Sequence, residues 1–182
     1  ETVPVLEAIA EYKEFRTRFL EIYDSKERIP DVTIRGELLY NFWQDADHPR
    51  GLWRRTTVAE YRKPSPNWET VLDLDVLAKA ENENWVFKGA ECLAPAYRLC
   101  MLELSRGGAD ATVLREFDMV RKAFVEDGFS LPEAKSQVSW KDENTLWVGT
   151  DFGEGTLTTS GYARLGKAWK RGAPLSEART VF

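Results

Sequence analysis

The chain has 182 residues, 43% of them hydrophobic and 30% charged, enough for one well-filled core or two small ones. Its net charge of −5 removes the electrostatic argument for a nucleic-acid or anionic-membrane partner. No stretch approaches the ~18 apolar residues of a membrane span, and no basic region followed by an apolar core opens the chain, so the expectation is a cytoplasmic protein.

Residues 3–23 carry large apolar side chains at helical spacing: Val5, Ile9, Tyr12, Phe19 and Tyr23, with Leu6, Phe15, Leu20 and Ile22 beside them. Pro4 sits where a first helical turn tolerates it. One or two helices are expected over residues 4–26, ending before Ile29-Pro30. Their apolar band is wide for a surface helix, and it needs a partner to bury it.

From Val32 onward the pattern changes to strands. Val32–Arg35 is a short extended run, followed by two aromatic, β-prone runs, 38–45 and 51–58, around the polar centre Asp45-Ala-Asp-His-Pro-Arg-Gly51. Aromatic and branched residues suit a pleated surface, while Pro49 and Gly51 turn the chain, so a hairpin is expected. The alternation at Trp68, Thr70, Leu72 and Leu74 predicts a fourth strand over 68–75, and the good helix formers of 75–81 predict a short helix capped by Asp75.

The four-strand unit recurs. A second hairpin is expected from 97–105, the glycine turn 106–110 and 111–118, with a further strand near 123–125. A third set runs through 137–140, the turn 141–144, 145–152, a glycine-rich loop, a run near 163–169 and the final 178–182. The hairpin starts at Leu38, Tyr97 and Thr145 lie 59 and 48 residues apart, periods that fit propeller blades and fit solenoid repeats poorly. The predicted fold is mainly β: a partial β-propeller of about three four-stranded antiparallel blades behind a helical segment. The expected divisions are a lead-in at 1–28 and blades near 29–82, 83–132 and 133–182.

Catalytic residues are not evident. None of the eight serines sits in the Gly-x-Ser-x-Gly turn that exposes a hydroxyl beside an oxyanion hole; Leu104-Ser-Arg-Gly107 and Thr159-Ser-Gly161 lack the earlier glycine. The single histidine, His48, lies in the first hairpin turn, where turn polarity accounts for it and its neighbours Asp45 and Asp47 without catalysis. One histidine and two cysteines cannot build a four-ligand zinc site. The acidic clusters at 81–83 and 142–144 lack the spacing of a calcium loop and read as turns. No catalytic, cofactor-binding or metal-binding residue is therefore assigned, and no cofactor is expected.

Cys92 and Cys100 either face one another across two strands within disulfide reach, or are buried, reduced and apolar in behaviour; the lack of an export signal favours the second. The seven tryptophans, all placed in predicted strands, read mostly as packing between blades, with room for one or two at a binding mouth. Arg54-Arg55 and Lys170-Arg171 read as solvated strand faces.

From Arg28-Ile-Pro30 to the C-terminus the chain resembles the N-terminal propeller half of bacterial prolyl oligopeptidase-like serine peptidases. The resemblance rests on Tyr40-Asn-Phe-Trp-Gln-Asp45, Gly51-Leu-Trp-Arg-Arg-Thr56, 68–73, 84–90, Leu104-Ser-Arg-Gly-Gly108, 116–118, 124–129, Leu131-Pro132, Ser139-Trp140 and Gly149-Thr-Asp-Phe152. It implies that the helical lead-in packs on an α/β-hydrolase domain and that the propeller is part of a seven-bladed ring. It further implies that a Ser-Asp-His triad lies in sequence not present here. The resulting expectation is a non-catalytic propeller fragment that, in its parent, covers the active site and restricts access to short peptides. Its partners would be the absent hydrolase domain and remaining blades, with short peptides as the parent's substrates. The alternative is a stand-alone β-rich module that binds peptide or protein and is completed by self-association. A three-bladed piece leaves open edges, so a homo-oligomer is expected.

Overall fold

The computed structural model describes residues 2–23, 25 and 29–182. Two helices open the chain, α1 (Thr2–Glu7) and α2 (Tyr12–Tyr23). The expected helix end and the 28/29 division fall largely outside the described residues. Neither helix buries a residue. Phe15 and Phe19, one turn apart, stack with ring centroids 6.4 Å apart, and the rest of the apolar stripe faces solvent, with Phe19 and Ile22 each 56% exposed.

The first sheet runs in chain order: β1 (Thr33–Arg35), β2 (Leu38–Trp43), β3 (Leu52–Thr57) and β4 (Glu69–Asp73). The expected hairpin forms with Phe42 opposite Trp53 and Tyr40 opposite Arg55. Gly51 ends its turn at φ +101°, and a Cβ there would collide with the Phe42 and Gln44 side chains, so no other residue fits. After β3, Thr57 Oγ1 accepts from the Glu60 amide and caps a single turn, α3 (Val58–Tyr61).

Trp68 lies just ahead of β4 rather than in it. The next helix, α4 (Leu74–Glu81), starts one residue earlier than expected, which makes Asp73 its cap: Asp73 Oδ1 accepts from the Asp75 and Val76 amides at 2.9 and 3.0 Å. Asp75 turns instead to the hairpin, accepting from the Arg50 amide. Asn82 closes the helix in the left-handed conformation.

The second sheet contains β5 (Trp85–Cys92), β6 (Leu99–Arg106), β7 (Thr112–Asp118) and β8 (Ala123–Phe124). A fifth strand, β9 (Ser130–Ala134), shares the outer edge of β7 with β8 and departs from the four-strand expectation. Pro132 disguises it, because proline reads as a break although an edge strand tolerates it. Tyr97, expected to begin the hairpin, stands before β6 at φ +51°.

The third sheet is β10 (Gln137–Asp142), β11 (Thr145–Gly149), β12 (Lys167–Lys170) and β13 (Arg179–Thr180). Its later strands are shorter than the expected runs. Every pairing between these strands is antiparallel; a lone parallel bridge joins Lys135 to Tyr162.

The second sheet lies between the other two, which explains its near-continuous apolar sequence. On β6, Cys100, Leu102 and Leu104 are fully buried on one face. Cys100 and Leu102 join Phe117 and Met119 against Tyr40, Trp53 and Val71 of the first sheet. Met101, on the other face, joins Leu114, Phe129 and Leu131 against Leu146, Val148, Trp169 and Ala178 of the third-sheet region. The α4 residues Leu74 and Ala78 close a further cluster on Trp85 and Leu104.

Three tryptophans (53, 85 and 169) are buried as expected for packing, whereas Trp43, Trp68, Trp140 and Trp147 are half-buried. The cysteines form a disulfide, against the reduced reading. Cys92 and Cys100 are register partners, and the next pair, Leu93 and Leu99, is joined by a hydrogen bond from the Leu93 amide. The cysteines therefore occupy the non-hydrogen-bonded position, where opposed side chains come closest.

Candidate functional site

The strongest site-like concentration of aromatic and cationic groups is where the first and second sheets meet. A cleft of about 350 Å3 opens there, with Arg35, Asn41, Trp43, Trp53 and Phe87 among its lining residues. Strand alternation puts Arg35 and Trp53 on the face toward the second sheet and Asn41 and Trp43 on the opposite face, so the cleft opens at the sheet's end where both faces are reached. Phe42 and Phe87 stack with centroids 5.1 Å apart, and Trp53 lies tilted against Phe87 at 5.3 Å.

Arg35 crosses from β1 to β5. Its Nη2 donates to the Ala90 carbonyl at 3.0 Å, while its guanidinium sits 5.4 Å from the Tyr40 ring and 5.8 Å from the Trp53 ring. Burial pulls its pKa below the ordinary value, opposed by Tyr40, Glu91 and Tyr97.

On the other face of the first sheet, Arg54 lies 4.4 Å from the rings of both Trp43 and Trp68. Its Nε donates to Asn41 Oδ1 at 2.9 Å, and Asn41 Nδ2 donates to the Asp31 carbonyl at 2.8 Å. Burial pushes Arg54 down to about 10, with Asp45 opposing.

His48 is part of the turn, as sequence reasoning has it. Its Nδ1 lies 3.0 Å from Asp45 Oδ1, which also accepts from the His48 and Asp47 amides, while Asp45 Oδ2 accepts from Trp43 Nε1 at 2.9 Å. Burial pushes the Asp45 carboxyl up, but these hydrogen bonds, that from Trp43 first, outweigh it and hold it at about 2. Among the described residues the His48 ring makes this one hydrogen bond, and no group of three or more His, Cys, Asp or Glu residues could hold a metal. The arrangement can bind. It contains no nucleophile hydrogen-bonded to a base among the described residues.

Of the two basic pairs, Lys170 is exposed as expected, whereas the three arginines are held by neighbouring groups. Arg54 is sandwiched as above. Arg55 Nε donates to Glu69 at 2.6 Å and its Nη1 to the Met119 carbonyl at 3.0 Å. Arg171 grips both oxygens of Glu116 at 2.8 Å and lies 4.6 Å from the Phe129 ring. Sequence reasoning missed Arg35, Asn41 and Arg54 as site residues. The one available signal was arginine set among tryptophans on alternating strands.

Chain-ordered antiparallel sheets stacked face to face, with aromatic seams between them, are the architecture of a propeller. The chain belongs to the prolyl oligopeptidase N-terminal beta-propeller domain family, which it matches over residues 1–182. It is 46% identical over all 182 residues to the uncharacterized peptidase y4nA of Sinorhizobium fredii and 33% identical over 190 positions to the uncharacterized peptidase RP174 of Rickettsia prowazekii. It spans 25% and 26% of those relatives, about a quarter of their length. A post-proline cleaving enzyme from Rickettsia typhi superposes with a TM-score of 0.87 at 32% identity, over 98% of this chain and 27% of that one. Oligopeptidase B from Leishmania major shares the fold, with a TM-score of 0.62 at 13% identity over 84% of this chain and 21% of its own. No helix among the described residues is long and apolar enough to cross a membrane.

Proposed function

We propose that this chain is the non-catalytic propeller portion of a prolyl oligopeptidase-like serine peptidase, where it stands over the active site and admits short peptides while excluding folded proteins. The carrying observation is the family match over the whole chain, together with the 0.87 TM-score to an enzyme that is nearly four times longer. Enclosure of this kind acts by size selection and water exclusion. On this reading each sheet is one blade, with divisions near residue 82 and between β9 and β10, a few residues beyond the expected 132. Residues 1–28 form a lead-in whose exposed apolar stripe packs on the hydrolase domain. The substrates are short proline-containing peptides bound by the whole enzyme.

The exposed stripe also favours a second reading, a stand-alone module that associates with copies of itself. One comparison separates the two. The 182-residue chain and a polypeptide of the relatives' full length are assayed on a proline-containing chromogenic amide and on a ladder of longer peptides. The proposal expects turnover by the longer polypeptide alone, falling off steeply with peptide length. Turnover by the 182-residue chain that is abolished by a serine-directed inhibitor would overturn it, as would a longer polypeptide that does not hydrolyse the amide.

A further inference from the structure

Three sheets meet at the end of β5. The Ala90 carbonyl accepts from Arg35 Nη2 of the first sheet at 3.0 Å, and the Glu91 carbonyl accepts from Trp140 Nε1 of the third sheet at 2.9 Å. The next residue is Cys92, bridged to Cys100 on β6. Cys100 is fully buried in the seam with Tyr40, Trp53, Phe117 and Met119. Cys92 is only half-buried, and β5 is an outer strand of its sheet, so its sulfur is the one that a thiol in solution can reach.

The register makes this an uneasy place for a disulfide. Opposed residues at a non-hydrogen-bonded pair lie about 4.5 Å apart, whereas disulfides settle with their Cα atoms at about 5.5–6 Å. The Cα atoms of Cys92 and Cys100 are 4.0 Å apart, held there by the ladder. A bridge under such constraint, with one sulfur open to attack, belongs to the easily reduced class. The fold does not depend on it. Without the bridge, β5 and β6 are still paired from Trp85 opposite Arg106 onward, and β6 is still buried on both faces.

The loop 93–98 is what an open bridge would loosen. Its far end is tied independently: Arg98 Nε and Nη2 donate to Asp118 Oδ2 at 3.0 and 2.9 Å, and the Met119 amide donates to the Arg98 carbonyl at 2.8 Å. Its near end hangs from Cys92, through the Leu93 amide on the Leu99 carbonyl and the Tyr97 amide on the Leu93 carbonyl. Tyr97 and Arg98 line a cleft of about 760 Å3 together with Arg35, Leu38, Met119 and Val120. The bridge therefore holds one wall of that cleft.

We propose that the Cys92–Cys100 bridge is a redox-sensitive latch, opened by thiol exchange, that sets how firmly β5 and the loop 93–98 are held where the three sheets meet. A thiolate of the reductant attacks Cys92 Sγ, forming a mixed disulfide and expelling Cys100 as a thiolate, which takes up a proton. A second reductant thiolate displaces Cys92, which is protonated in turn, and the reductant leaves as its own disulfide. Two electrons and two protons pass to the protein. Reduced Cys100 stays behind as a small buried apolar residue. The latch rests on the bridge and its surroundings and stands apart from the peptidase reading.

The test equilibrates a polypeptide of the relatives' full length, without denaturant, in glutathione mixtures that run from fully oxidised to fully reduced. Free thiols are trapped by alkylation, and mass spectrometry reads the fraction open at Cys92 and Cys100. Amide hydrogen exchange is followed on the same samples. The bridge is expected to open within this series. Residues 93–97 should then exchange about tenfold faster or more, while the centre of β7 keeps its protection. Cys92→Ala with Cys100→Ala should show the fast exchange in every mixture. The proposal is overturned if the bridge stays closed in fully reduced glutathione or opens only as β7 loses protection. It is equally overturned if residues 93–97 exchange alike in the open and closed forms, or if the double variant exchanges as the bridged protein does.

Discussion

Glu116 is 2% exposed in the middle of β7, yet both of its carboxyl oxygens are partnered: Arg171 meets each of them, and the Phe129 amide donates to Oε2 at 2.7 Å. The pair ties the second sheet to the third across 55 residues of sequence. Glu116→Ala would leave the guanidinium and the Phe129 amide without their acceptor, and a loss of about 3–5 kcal/mol is expected. Urea unfolding should show a lower midpoint with an unchanged slope.

Asp45 and Glu69 make the acid limb of stability predictable. Glu69 is held at about 2, chiefly by the hydrogen bond from Arg55 and then that from Lys122, and Asp45 is also held at about 2. Both folded values lie below the ordinary carboxylate range near 4. Their stabilisation is therefore complete above about pH 4.5 and drains away as pH falls toward 2, because the unfolded chain takes up the protons first. Asp45→Asn combined with Glu69→Gln should flatten the stability loss over that window, as read by unfolding at a series of pH values. An unchanged slope would count against these contacts. None of this was legible in sequence. A basic pair in a strand looks the same whether it is solvated or clamped, and the acid that holds Arg171 lies too far along the chain for any local pattern to reveal it.

At the scale of elements, the hairpin of residues 38–58 was the most readable part of the chain. Its aromatic alternation and its Pro-Arg-Gly turn agree with one another, and β2 and β3 pair as that agreement predicts. The helix at 74–81 was also legible, although its cap moved to Asp73, because two aspartates flank the start and only the backbone decides between them. β9 was not legible, since its contact with β7 is visible only once the sheet has formed. The disulfide lay between these cases. Register makes Cys92 and Cys100 partners, but register follows from the loop they enclose, whose length alone left both readings open. Closing a loop of eight residues' separation restricts the unfolded chain, and Cys92→Ala with Cys100→Ala should cost about 2–3 kcal/mol. Thermal unfolding of the double variant beside the oxidised parent measures this. No change in unfolding temperature would mean that the β5–β6 hairpin is held by its ladder alone.

For the molecule as a whole, the helices pose the largest energetic question. Val5, Ile9, Phe15, Phe19, Leu20 and Ile22 are each more than 40% exposed, a contiguous apolar surface of the kind that becomes an interface. The 182-residue chain on its own should form dimers or larger species at micromolar concentration, and Phe15→Ser with Phe19→Ser should reduce them. Light scattering that reports a clean monomer of the unsubstituted chain would show that the stripe is buried by its own sheets. Stacked sheets and their seams were foreseeable from strand periodicity, whereas the surface these helices meet could not be read from their residues.

On the proposed reading, the whole peptidase draws its nucleophile from outside these residues. A polypeptide of the relatives' full length, labelled with a fluorophosphonate and digested, can be mapped by mass spectrometry to the modified serine. A single activity-dependent label is expected, and it should lie outside residues 1–182. A label on any of the eight serines within them, lost when that serine is replaced by alanine, would contradict it.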